Sequence, residues 1–130
     1  MFNNIEMMQT AQSMARHASQ RQALVARNVA NADTPGYRAM DLPSFAESLR
    51  APHQGADLRA TRPGHLNAGI DAAGRPSAID AGVEASPNGN TVSIENEMVR
   101  AAELRQQHDM AMAIYGKARD ILRTSLGRGK

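Results

Sequence analysis

Histidine is the side chain that most readily binds metal ions and moves protons near neutral pH, and the sequence carries four, at 17, 53, 65 and 108. They stand far apart, with none of the short spacings that bring two ligands to one ion. His108 falls on the apolar face of a helical pattern, where a histidine packs or meets another surface. His65 lies in TRPGHL at 61–66 with no Ser, Asp or Cys at a spacing that would make a nucleophile system. The chain has no cysteine, so disulfides, zinc-thiolate sites and thiol catalysis are excluded. GRGK at 127–130 lacks the glycine spacing and the Ser/Thr of a phosphate loop and reads as a tail. The carboxylates of the C-terminal region read as solvated charges, not as a positioned acid and base. No cofactor, metal, small-molecule substrate or catalysis is expected.

The elements must then serve something other than chemistry. Residues 4–31 contain neither Pro nor Gly and read as one long helix, about 40 Å at 1.5 Å per residue. Asn3 with Glu6 has the form of its N-terminal cap, and Pro35 forbids its continuation. Projected at 100° per residue, Met7, Met8, Ala11, Met14, Ala15, Ala18, Gln22, Val25 and Val29 share one arc, while Phe2, Ile5 and Leu24 point away from it. A second helix is expected from Ile94 to Leu126, with Glu95 and Glu97 near its start and Lys117, Arg119 and Arg123 toward its end, an order that suits the helix dipole. Its main face holds Ile94, Ala101, Leu104, His108, Ala111, Met112, Tyr115, Ala118, Leu122 and Leu126. A separate stripe holds Val99, Met110, Ile114 and Ile121.

Between them, ten of the forty residues 51–90 are Gly or Pro, and large aliphatics are few. Only SPNGNTVSI, with its Asn-Gly turn, suggests a short β-hairpin around 86–94. The expected fold is mainly α: long N- and C-terminal helices, 1–34 and 92–126, pair as an antiparallel hairpin or coiled coil in one helical core. A loop-rich segment, 35–91, connects them, and 127–130 is a tail.

A chain of 130 residues with 3% aromatics and no tryptophan has a thin core, in which Ala and Met let helices approach closely. The net charge of +2 comes from basic residues spread along the chain, so no nucleic acid partner is expected. The N-terminus lacks the basic leader and apolar run of a secretory signal, and no stretch approaches the ~20 apolar residues of a membrane span. Pairing the two main faces leaves Val99, Met110, Ile114, Ile121, Ile5 and Leu24 uncovered. Covering them with a different face of the next copy makes a heterologous contact, which generates rings or helical arrays. The pattern favours a subunit of a polymer or tube. The alternative is a soluble helical adaptor or an export chaperone of a type III secretion system.

RQALVARNVANADTPGYRAMDLPSF, residues 21–45, resembles the N-terminal signature of the bacterial flagellar rod, hook and hook-associated proteins. Its defining residues are Asn28, Asn31, Thr34, Pro35, Gly36 and Tyr37. The short length, TRPGHL and the C-terminal GNTVSIENEMVRAAELRQQHDMAMAIYGKARDILRTSL are similar to the proximal rod members of that family. After Ala102 the chain departs from the family, whose members often carry an Asn followed by a Tyr there. The resemblance implies a structural, self-assembling subunit whose terminal helices build the hollow, torque-transmitting rod of the basal body in the periplasm. It implies contacts with other rod subunits, the rod-base adaptor and the membrane ring protein. It also implies passage through the flagellar type III export gate without a cleaved signal, for which Phe45 and Leu49 fit a gate-recognition pattern. The same two residues would touch across one helical turn. Pro35 and Gly36 suit the second and third positions of a type II turn. Asn28, Asn31 and Thr34 are then expected to serve the exposed backbone at the helix end, with Tyr37 anchoring the departing chain.

Overall fold

The computed structural model describes residues 2–50 and 77–127. His53, His65, TRPGHL and the last three residues of the tail lie outside the described residues. Two long helices dominate: α1 (Phe2–Ala30) and α3 (Ile94–Gly127), packed against each other along their lengths. Between them come β1 (Met40–Asp41), the short helix α2 (Phe45–Arg50) and β2 (Ile79–Asp80).

The seam between α1 and α3 has a strict repeat. Ala11, Ala18 and Val25 are its buried apolar residues on α1, and Glu97, Leu104, Ala111 and Ala118 are the buried residues of α3. Both series step by seven, the period that makes two helices wind around one another. Asn28 bonds Glu97, while Ala11 and Ile114, equally far along each helix from that pair, line one groove. The helices are therefore antiparallel, and most of the seam is alanine, which permits a close approach.

The seven-residue step corrects the arcs expected from the sequence. A straight helix drifts by about 20° per heptad against a repeat of seven, so a projection at 100° per residue collects residues at its ends that leave the real seam. Val29 and Leu126, off the seven-residue series near the helix ends, are exposed; Met7 and Ile94, which keep that spacing with Met14 and Ala101, and Met112, beside Ala111, are exposed too, so the seam is narrower than the arcs. Glu97 occupies the seam instead of Ile94.

α1 starts at Phe2, so Asn3 and Glu6 lie inside it and do not cap it. α3 is capped by Ser93, whose Oγ accepts from the Asn96 N–H at 3.4 Å. Ser44 and Glu47 form a reciprocal capping box on α2. The Glu47 carboxylate accepts from the Ser44 N–H at 2.9 Å, and Ser44 Oγ accepts from the Glu47 N–H at 3.3 Å.

An antiparallel strand pair does form, but not around 86–94. It joins β1 to β2, with Met40 opposite Asp80 and Asp41 opposite Ile79. The Asn-Gly turn is present, closed by Gly89 N–H to Ser86 O at 2.8 Å with Gly89 at φ +82°. Ser86 N–H to Asn90 O at 2.8 Å also crosses the turn, but the pairing goes no further as a ladder, because the Thr91 N–H is given to Tyr37 O at 3.0 Å and α3 begins at Ile94.

Candidate assembly site

At the end of α1 the chain turns through Thr34-Pro35-Gly36-Tyr37. The Tyr37 N–H donates to Thr34 O at 3.2 Å, and Gly36 has φ +72°, a left-handed value that glycine adopts without strain. With proline before that glycine, this is the geometry of a type II turn. Gly36 also donates its N–H to Asn88 O at 3.1 Å, and a Cβ on Gly89 would meet the Gly36 Cα at 3.4 Å. The two glycine turns therefore lie against each other.

The turn sends residues 38–43 back along α1, where three side chains of α1 hold them. Asn28, fully buried, donates to Met40 O at 2.9 Å and to Glu97 Oε2 at 3.2 Å, and its Oδ1 accepts from the Met40 N–H at 3.1 Å. Tyr37 reaches the same oxygen with a long 3.4 Å bond. Arg21 grips Asp41 with two parallel bonds of 2.8 and 2.6 Å. Burial alone would raise the Asp41 carboxyl, but the Arg21 hydrogen bond, the Leu42 N–H and the nearby Arg21 and Arg100 charges outweigh it. The group therefore sits below its ordinary value, and Arg21 is correspondingly raised. His17 bonds Pro43 O through Nε2 at 2.8 Å, and its ring lies 5.6 Å from that of Phe45. Burial lowers its pKa, with the Pro43 bond acting in the opposite sense.

A second set of bonds joins this corner to the start of α3. Asn90 Nδ2 faces the carbonyls of Asn31, Ala32 and Thr34 at 2.9, 2.9 and 2.8 Å, in the turns that follow α1, where the Asn31 and Thr34 carbonyls also accept the Thr34 and Tyr37 N–H groups. Thr91 Oγ1 accepts from the Ala39 N–H at 2.7 Å. Glu97, 1% exposed, takes the second bond of its carboxylate from Arg100 at 2.9 Å. Among the described residues no buried side-chain polar atom lacks a partner.

The turn residues expected from the sequence thus meet here, with one change of role. Asn31 does serve the helix end, donating to Arg27 O at 2.8 Å, and Thr34 bonds Asn31 at 3.3 Å. Asn28 does not; it points into the core. Asn90, Thr91, Glu97, His17, Arg21 and Asp41 do the remaining holding. Glu97 lies seven residues before Leu104 and could have been found from that spacing, whereas nothing local in the sequence marks Asn90 as a cap.

Elsewhere, Met14, Tyr115 and Leu122 are half-buried beside the seam formed by Ala11, Ala18, Val25, Leu104, Ala111 and Ala118. Val99, Met110, Ile114 and Ile121 are 36–59% exposed, Ile5 is exposed, and Leu24 is half-buried. Phe45 and Leu49 lie one turn apart on α2, with Leu49 exposed. Among the described residues no cluster of His, Asp and Glu could hold a metal ion, and no helix is long and apolar enough to cross a membrane.

A family model described as flagella basal body rod protein matches residues 8–38, a span that runs along α1 and through the turn to Arg38. Flagellar basal body rod protein FlgB of Agrobacterium fabrum is 30% identical over 82% of this chain and 81% of its own. The FlgB of Escherichia coli is 32% identical over 80% and 81%, and that of Salmonella typhimurium 34% over 75% and 76%. At that identity and coverage, the chain belongs to the flagellar basal body rod protein FlgB family.

Proposed function

We propose that the chain is a structural subunit of the proximal part of the rod, polymerising through its two long helices into the hollow shaft that carries motor torque. The observation that supports this reading is the stripe of Val99, Met110, Ile114 and Ile121, which stays 36–59% exposed although α3 has a long neighbour. Large aliphatic side chains repeated along one helix face suit burial against other chains. Torque then passes through many small apolar contacts that resist shear together, and no catalytic step is needed.

In this reading the neighbours are copies of the chain, other rod subunits, the rod-base adaptor and the membrane ring protein, and the assembled site is periplasmic. The subunit leaves the cytoplasm through the type III export gate, without a cleaved signal. A gate that reads Phe45 and Leu49 reads them before folding, since in the folded chain the Phe45 ring lies against His17.

Ile114→Asp and Ile121→Asp test the reading. Both positions are exposed in the single chain, so each variant is expected to stay soluble and helical while rod incorporation and swimming are lost. Normal swimming by both would refute assembly through this stripe.

A further inference from the structure

The seam repeats every seven residues on both helices and is built largely of alanine. Sliding α3 along α1 by one repeat moves it by about 10 Å and again brings seam positions opposite seam positions, so the seam by itself discriminates weakly between registers. Directional bonds between the two ends of the hairpin are concentrated at the corner. Asn28 meets Glu97, and Asn90 meets the last carbonyls around α1, with Thr91 tying Tyr37 and Ala39 to the residues just before α3. A one-repeat slip takes Asn28 from Glu97, 1% exposed, which then keeps only its Arg100 bond, and takes Asn90 from its three carbonyls, so buried hydrogen bonds are lost that the slipped seam does not replace.

We infer a division of labour: the alanine seam supplies contact area, and the polar corner of Asn28, Asn90, Thr91 and Glu97 is the register lock of the hairpin. A buried polar contact that fixes register at some cost in stability is a known use of asparagine in coiled coils. The lock also fixes the height of Val99, Met110, Ile114 and Ile121 relative to α1. The importance of that height for assembly rests on the rod reading, but the lock itself does not.

The chain has no cysteine, so engineered pairs report register directly. Ala11→Cys with Ile114→Cys reports the native register. Ala11→Cys with Ile121→Cys, or with Gln107→Cys, reports a slip of one repeat in either direction. Each pair is equilibrated in a glutathione buffer and quantified by mass spectrometry, with helicity followed by circular dichroism. The native pair is expected to dominate in the otherwise unchanged chain. Replacing the corner contact by Asn28→Leu with Glu97→Leu is expected to raise the slipped disulfides about tenfold or more, the worth of a lost bond to a charged group. Glu97→Leu alone, which leaves both Asn28 bonds to Met40, is the milder variant and is expected to show the same direction. Leu104→Ala removes apolar area from the seam and is expected to weaken the fold without slipping. Exclusively native disulfides in a folded Leu variant, or slipped ones in Leu104→Ala, would overturn the lock. Should both Leu variants unfold, a native-only Leu104→Ala supports it and a slipped one refutes it. Swimming assays enter only afterwards, so a fault in the rod reading does not touch the crosslink result.

Discussion

Asn90 Nδ2 has two hydrogens and three carbonyl neighbours, so it works as a shared donor closing the end of α1. Its own oxygen accepts from the Val92 N–H at 2.7 Å, which fixes which way the amide faces. Asn90→Ala leaves those carbonyls without a side-chain donor and is expected to cost about 1–3 kcal/mol in urea unfolding. An unchanged midpoint would mean that water or backbone replaces the cap. His17 gives the other residue-level expectation. Its folded pKa lies below the ordinary 6.5 chiefly because burial disfavours the imidazolium, while the Pro43 bond opposes that shift. The folded state then binds fewer protons than the unfolded one. The contribution is fully present above pH 6.5 and is lost as pH falls from 6.5 through the lowered folded value. His17→Gln keeps a donor for Pro43 O but does not titrate, so its stability should fall less than that of the unchanged chain across this window. Identical slopes would exclude His17 as the titrating group. Asp41, also lowered, adds a further loss as pH drops below 3.8.

At the scale of the elements, the helices are legible because Gly and Pro are missing from residues 4–31 and because Pro35 forces an end. Their pairing is legible from two apolar arcs. The width of the buried seam was less so, since Met7, Val29, Ile94 and Leu126 fall within the arcs and are nonetheless exposed. The position of the strand pair was hidden for a different reason. Met40–Asp41 and Ile79–Asp80 are two residues each, too short to show an alternation, and they meet only because Asn28 and Arg21 bring the first of them back along α1. The seam itself makes a sharp prediction. Ala111 is fully buried in the seam, so Ala111→Leu adds volume with nowhere to go and is expected to destabilise by about 1–3 kcal/mol in thermal melts. A neutral or stabilising result would show that the helices are further apart than an alanine seam implies.

For the whole molecule, the fastenings are unevenly distributed. The end holding Asn28, Tyr37, Asn90 and Glu97 is bonded through side chains and backbone alike. The opposite end, where α1 begins and α3 finishes, has exposed Ile5, Met7, Ile121 and Leu126 beside a groove lined by Met7, Ala11, Met14 and Ile114. The family signature and the polar corner coincide, because the family model spans α1 and the turn, residues 8–38. That is why a short string of residues identified the family while leaving the corner's internal bonding unseen: the string contains Asn28 but neither Asn90 nor Glu97.

Gly36 and Gly89 give this asymmetry a mechanical meaning. With the two turns resting backbone to backbone, the joined end acts like the pivot of a pair of tongs, and the long helices are its arms. A side chain at Gly89 would be strained by the left-handed φ of +82° there, while any force that parts the arms acts with the leverage of α1's whole length. Neighbouring chains that bear on the far ends would therefore stiffen the subunit where apolar contact at Ala11 and Ala118 holds the arms together without the polar bonds of the pivot.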